Sequence, residues 1–199
     1  MEIDHEVIQK VLAGDYDAFE VLVDRYKGRV YRHLRKMVKD QSEIQDLLQE
    51  TFLRAYKGLG SFAGNSSFAT WLFKVANNTA LMYLRKKRPE LLQHADDIQK
   101  MEEFEFMPAS SEFVGTPMEI LLSQEGRRKI EEALDDLPLA YRTVIVLKDI
   151  EGFSLDEVAE ITDSSVPAVK SRLHRGRNFV RATLSSYYTE KSTVKKHRG

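Results

Sequence analysis

Cysteine is absent from the 199 residues. That excludes a disulfide scaffold, a thiolate metal site and a cysteine nucleophile. Tryptophan occurs once and proline five times. No apolar run approaches the roughly 20 residues that cross a bilayer, so membrane insertion is not expected. The start, MEIDHEVIQKVLAGD, is acidic and amphipathic rather than signal-like, and a soluble, cytoplasmic chain is expected. His5, His33, His94, His174 and His197 include no pair at helix-ligand spacing, and neither H-E-x-x-H nor a phosphate-cradling loop occurs. Asp96-Asp97 and Asp135-Asp136 are adjacent carboxylates, which on a helix do not face each other. The expectation is therefore no enzyme, no metal, no cofactor and no small-molecule substrate.

Net charge is also scarce, at −1, but it is segregated. Residues 15–88 carry 14 basic and 8 acidic groups, and residues 126–199 carry 14 and 11. Between them, residues 89–125 carry 1 basic and 9 acidic. Two basic blocks around an acidic connector suit a polyanionic partner, and they also suit solvated helix faces.

The periodicity is helical throughout, and the fold class expected is all-α with two small domains. Pro89 follows the basic run Arg85-Lys86-Lys87-Arg88, and no helical period is sustained from there to Pro117. So long a structureless stretch reads as a linker between domains. The boundaries expected are 1–88, a flexible acidic linker 89–122, 123–186, and a disordered basic tail 187–199. Met101, Phe104, Phe106 and Met107 are unusual for an inert spacer.

In the first block, Phe19, Leu22, Val23, Tyr26, Val30, Leu34 and Met37 keep a 3–4 spacing over 15–38. Ser42-x-x-Gln45 reads as a capping box for the next helix. That helix carries Ile44, Leu47, Leu48, Phe52, Ala55 and Tyr56 on one face, and Asp46, Gln49, Glu50, Arg54 and Lys57 on the other. A polar loop, 61–67, leads to a helix expected to be capped by Ser67. Its inward stripe is Phe68, Leu72, Val75, Ala76, Thr79 and Tyr83. Trp71, Lys74, Asn78, Leu81 and Arg85 form a second stripe. An aromatic among amides and cations suits unpaired nucleic acid, whose bases stack and whose phosphates attract cations. A core Trp71 on an otherwise solvated face fits as well.

The second block ends in the clearest local signal. Ser154-x-x-Glu157 is a capping box, 162–165 a polar turn, and Val166-Pro167 opens a basic helix. Val158, Ala159, Ile161, Val166, Val169 and Leu173 form the seam of a helix-turn-helix. Lys170, Ser171, His174, Arg175 and Arg177 then face outward, where base edges are read. Arg172 and Arg181 are expected at phosphates or acidic neighbours.

With these residues in place, the sequence resembles the bacterial extracytoplasmic-function (ECF) sigma factors of the sigma-70 family. The likeness runs from Ala18-Phe19 to Tyr56-Lys57 with Asp46-Leu47-Leu48-Gln49-Glu50, from Ser61-Phe62 to Arg85 with Thr70-Trp71-Leu72 and Asn78-Thr79-Ala80, and from Leu137-Pro138 to Arg177 with Glu151-Gly152-Phe153-Ser154. The resemblance implies an alternative transcription initiation factor that binds core RNA polymerase. It implies that Asp46, Gln49, Glu50 and Arg54 dock on polymerase. Phe62, Asn65, Ser66, Trp71, Lys74, Asn78 and Arg85 would take single-stranded DNA at the −10 element, with a flipped base held in the 62–67 loop. The helix-turn-helix, through Lys170, Ser171, Arg172, His174, Arg175 and Arg177, would read duplex DNA at the −35 element. The acidic linker would run toward the polymerase active-site and RNA-exit channels, and an anti-sigma factor would be a further partner. The alternative is a stand-alone helix-turn-helix regulator, which accounts only for the C-terminal part.

Overall fold

A computed structural model describes residues 2–89 and 124–196, with side chains from 4 to 89 and from 125 to 185. The linker expectation, with Met101, Phe104, Phe106 and Met107, lies outside the described residues. Among the described residues there is no strand. The chain forms α1 (Glu2–Leu12), α2 (Phe19–Met37), α3 (Gln41–Gly58) and α4 (Phe68–Lys87). From residue 124 onward come α5 (Gln124–Asp136), α6 (Leu139–Ile145), a π-helical turn (Val146–Ile150), α7 (Leu155–Ile161) and α8 (Val166–Lys196).

The first domain packs α2, α3 and α4 around Leu22, Val30, Leu34, Ile44, Ala55, Leu72 and Ala76, all buried. Burial of each leucine, isoleucine or valine among them stabilises a fold by about 1.5–3 kcal/mol. The α1 helix is tied on by an Arg25–Asp4 ion pair and by Tyr26 Oη, which donates to Asp4 Oδ2 at 2.7 Å. Burial and that bond push the Tyr26 hydroxyl up to about 12. The cap of α3 differs from the expectation. Asp40, not Ser42, ends the helix, accepting from the Ser42 N–H at 3.0 Å. A carboxylate is charged and complements the helix dipole better than a hydroxyl, so it takes the position. Ser67 caps α4 as expected, accepting from the Thr70 N–H at 3.0 Å.

In the second domain, α8 packs on α5, α6 and α7 through Leu137, Tyr141, Val144, Ile161, Val169 and Leu173. Gly176 is buried where α8 crosses α6; a Cβ there would stand 2.7 Å from Ile145 Cδ1. At 31 residues, α8 continues through positions 187–196, which the sequence suggested as disordered tail. No Gly or Pro interrupts them. Once a helix is nucleated, each added residue costs little.

The two domains meet. The π-helical turn closes with the Glu151 N–H on the Val146 carbonyl at 2.9 Å. Gly152, at φ +81, then reverses the chain so that Glu151 and Phe153 both reach the first domain. Arg29 Nε donates to Glu151 Oε2 at 2.8 Å, and Arg29 Nη2 to the Glu151 carbonyl at 2.9 Å. Arg32 Nε lies 3.5 Å from Glu151 Oε1, and the Glu151 side chain is only 2% exposed. The Arg29 guanidinium stands 5.2 Å from the Phe73 ring and 5.4 Å from the Phe153 ring. Those two rings meet edge to face at 4.8 Å. Nearby, Arg142 Nη1 donates to the Lys36 carbonyl at 3.0 Å.

Behind Phe73 lies His33, fully buried, its ring 5.4 Å away and neither nitrogen hydrogen-bonded. Burial drives its imidazolium pKa down from 6.5 to about 4. His33 contributes nothing to pH dependence above neutrality, where it is uncharged folded or unfolded. As pH falls from about 6.5 toward 4 the unfolded chain takes up the proton first, so this group removes about 2 kcal/mol by pH 5. His33→Phe abolishes that part of the slope in urea titrations at pH 7 and pH 5; an unchanged slope refutes the assignment. Arg29→Met removes the main partner of a buried carboxylate and disfavours the closed arrangement by about 2 kcal/mol. Small-angle scattering should then show a larger radius of gyration; an unaltered curve would mean that the clasp does not hold the domains.

Candidate nucleic-acid interface

The recognition segment is built as the sequence suggests. Ser154 Oγ accepts from the Glu157 N–H at 3.2 Å, and Glu157 Oε2 accepts from the Ser154 N–H at 2.8 Å. Asp163 turns the chain at φ +48, a conformation that Asp tolerates through its short polar side chain. Ser165 Oγ then accepts from the Ala168 N–H at 3.3 Å at the start of α8. Val158, Ile161, Val169 and Leu173 are buried in the seam. This leaves Lys170, Ser171, His174 and Arg177 exposed, with Arg175 half-buried.

Not every cation of α8 is displayed alike. Arg177 pairs with Asp149 through Nε at 2.9 Å and Nη2 at 2.5 Å, and that bond holds its pKa above the usual arginine value. Arg172 Nη1 donates to Ser164 Oγ at 2.8 Å, and Arg181 Nη1 to Asn178 Oδ1 at 3.3 Å. Arg172 thus braces the turn. Lys170, Ser171 and His174 occupy the early, outward part of the helix, where a major-groove reader places its base contacts.

The polar face of α3 is exposed at Asp46, Gln49 and Arg54 and half-buried at Glu50. Glu50 and Arg54 pair at 2.6 Å. Leu53 and Tyr56, on the same helix, are exposed apolar residues at 47% and 36%. The row thus mixes charge with an exposed leucine and tyrosine.

The 62–67 loop and α4 bring the remaining candidates together in part. Phe62 and Trp71 lie 5.4 Å apart, with Phe68 completing a ring cluster at 5.8 Å from Trp71. Trp71 is half-buried, so it both supports the loop and offers an edge. Asn65 and Arg85 are exposed, and Asn78 is half-buried. Ser66 and Lys74 are engaged by the second domain. Ser66 Oγ donates to Glu160 Oε1 at 2.8 Å, and Lys74 Nζ lies 2.6 Å from Asp163 Oδ1.

Sequence reasoning overlooked one row of α4. Thr70, Phe73 and Asn77 are spaced by 3 and 4, and all are buried. Thr70 Oγ1 donates to Glu157 Oε1 at 2.8 Å, and Asn77 Nδ2 to the Ile161 carbonyl at 3.4 Å. The available signal was that α4 carries apolar or small residues on more sides than one domain can bury.

Between the domains lies a cleft of about 430 Å³, lined by Arg32, Arg35, Lys36 and Arg127 together with Glu131 and Glu151, around apolar Ile130, Leu134, Val146 and Ile150. No described helix is long and apolar enough to cross a membrane.

Two family matches cover this architecture: Sigma-70 region 2 over residues 22–90 and Sigma-70 region 4 over residues 127–180. A stand-alone regulator leaves the first of these unexplained. The chain is 38% identical over 180 residues to the ECF RNA polymerase sigma factor SigW of Bacillus subtilis, covering 89% of this chain and 94% of that protein. It is 35% identical over 179 residues to the ECF RNA polymerase sigma-E factor of Haemophilus influenzae, covering 89% and 93%. Among solved structures it is similar to CnrH in complex with the cytosolic domain of CnrY, with TM-score 0.65, 25% identity, and coverage of 92% and 97%. The fold also matches the sigma factor RpoE of Bartonella quintana, with TM-score 0.61, 24% identity, and coverage of 83% and 96%. The chain belongs to the ECF sigma factors of the sigma-70 family.

Proposed function

We propose that this chain is an alternative sigma factor that binds core RNA polymerase, directs it to promoters through their −35 and −10 elements, and assists melting. The observation that carries the reading is one chain that presents two surfaces of different chemistry. One is the exposed start of α8, and the other the aromatic, amide and cationic border of the 62–67 loop and α4.

Lys170, Ser171, His174 and Arg175 read the −35 duplex from the major groove. Arg172 and Arg177 position the helix, one through the turn and one through Asp149. Phe62, Asn65, Ser66, Trp71, Lys74, Asn78 and Arg85 take the −10 strand, where stacking and hydrogen bonds offset the few kcal/mol of unstacking. Asp46, Gln49, Glu50 and Arg54 bind core polymerase. The chain performs no covalent chemistry, and it works in the cytoplasm, where its polymerase and DNA are. The linker adds effective concentration, so neither domain need bind DNA tightly alone. An anti-sigma factor is a further partner in this reading.

Transcription by core polymerase plus this chain on a randomised promoter library tests the reading. Start sites preceded by paired −35 and −10 motifs are expected, and absence of both transcription and core binding refutes it. On the promoter so defined, Lys170→Ala weakens −35 recognition by about 1–3 kcal/mol. Asn78→Ala impairs −10 selection and opening while core binding, read by co-elution, is retained.

A further inference from the structure

The side-chain contacts of α4 and the loop before it with α7 and the turn after it have one chemical sense. Ser66, Thr70 and Lys74, all on the first domain, present two hydroxyls and an ammonium. The groups that meet them are three carboxylates, Glu160, Glu157 and Asp163. Their distances are 2.8, 2.8 and 2.6 Å. Hydroxyl and ammonium donors are the groups by which proteins hold a DNA backbone. The carboxylates are spaced by three residues along α7 and its turn, so they line one side. Burial alone would raise the Glu157 carboxyl, but the backbone bond from Ser154 and the Thr70 hydroxyl outweigh it and hold the group below the usual range. It therefore stays ionised at neutral pH.

We propose that Glu157, Glu160 and Asp163 form a phosphate-mimicking row that occupies the −10 face of the free chain, so that helix α7 and the DNA strand compete for Ser66, Thr70 and Lys74. This rests on the reading of that face as the −10 surface. The same helix-turn-helix that reads one promoter element thus screens the surface for the other until the domains part. The Arg29–Glu151 clasp and the Phe73–Phe153 contact hold the row in register. Apparent affinity for the strand is the intrinsic affinity reduced by the open fraction.

The test uses the full chain, free and bound to core polymerase, with a labelled single strand carrying the −10 motif selected by transcription. The variant is Glu160→Ala with Asp163→Asn, since asparagine keeps the left-handed turn. It should bind the strand about three- to tenfold more tightly than the wild type when free, as two partly exposed charged contacts are lost from the closed form. In the polymerase complex the two should bind alike. Asp17→Asn with Glu20→Gln removes two exposed carboxylates elsewhere and controls for net charge; it should bind as the wild type does. No gain in the first variant, or an equal gain in the control, overturns the mimic. Lys74→Glu in the polymerase complex separates the two claims. Loss of −10 selection there upholds the reading of the face whatever the free chain does. Retained selection overturns that reading, and the mimic with it.

Discussion

The arrangement of the whole molecule depends on one buried carboxylate. Glu151 is carried out of the second domain on a π-helical turn and meets Arg29 of the first. A charge so enclosed is costly unless paired, and its attraction for a partner is strengthened by the low local dielectric. Arg29 is suited to the task because its planar fork reaches a carboxylate oxygen and a carbonyl together while its face lies on two phenyl rings. Lysine could not do all three. The geometry of α2 against the π-helical turn, and of α4 against α7, is set by this clasp. Which DNA-facing groups are open in the free chain then depends on the clasp too.

The surrounding polar contacts differ from the clasp in exposure. Asp163 is 62% exposed and Lys74 34%. Such pairs are individually weak and sensitive to salt. They supply little of the cohesion, most of which comes from Phe73, Phe153 and their neighbours. A closed form assembled this way has an energetic centre of apolar contact plus one ion pair, and a rim that a polyanion can contest.

Much of this was legible in the residues. The Ser67 cap and the Ser154–Glu157 box both declare helix starts by pairing specific donors and acceptors within three residues. The seam of the helix-turn-helix showed through its spacing. Ser42 misleads because Asp40, two residues earlier, offers the helix a charged acceptor. The clasp was illegible for another reason. Arg29 and Glu151 are 122 residues apart in the sequence, and nothing local to either records the other. The Thr70-Phe73-Asn77 row lay between: its periodicity was visible, but its partner was not.

The capping box of α7 carries one more consequence. Glu157 divides its two oxygens, one closing the N-terminus of its own helix through Ser154 and one reaching Thr70 in the other domain. When the domains separate, only the second oxygen changes partner, and water can replace the hydroxyl. The helix keeps its cap, so its first turn does not fray. Separation is thereby uncoupled from local unfolding: the duplex reader leaves the closed form already shaped, and docking on DNA carries no charge of chain entropy for remaking it.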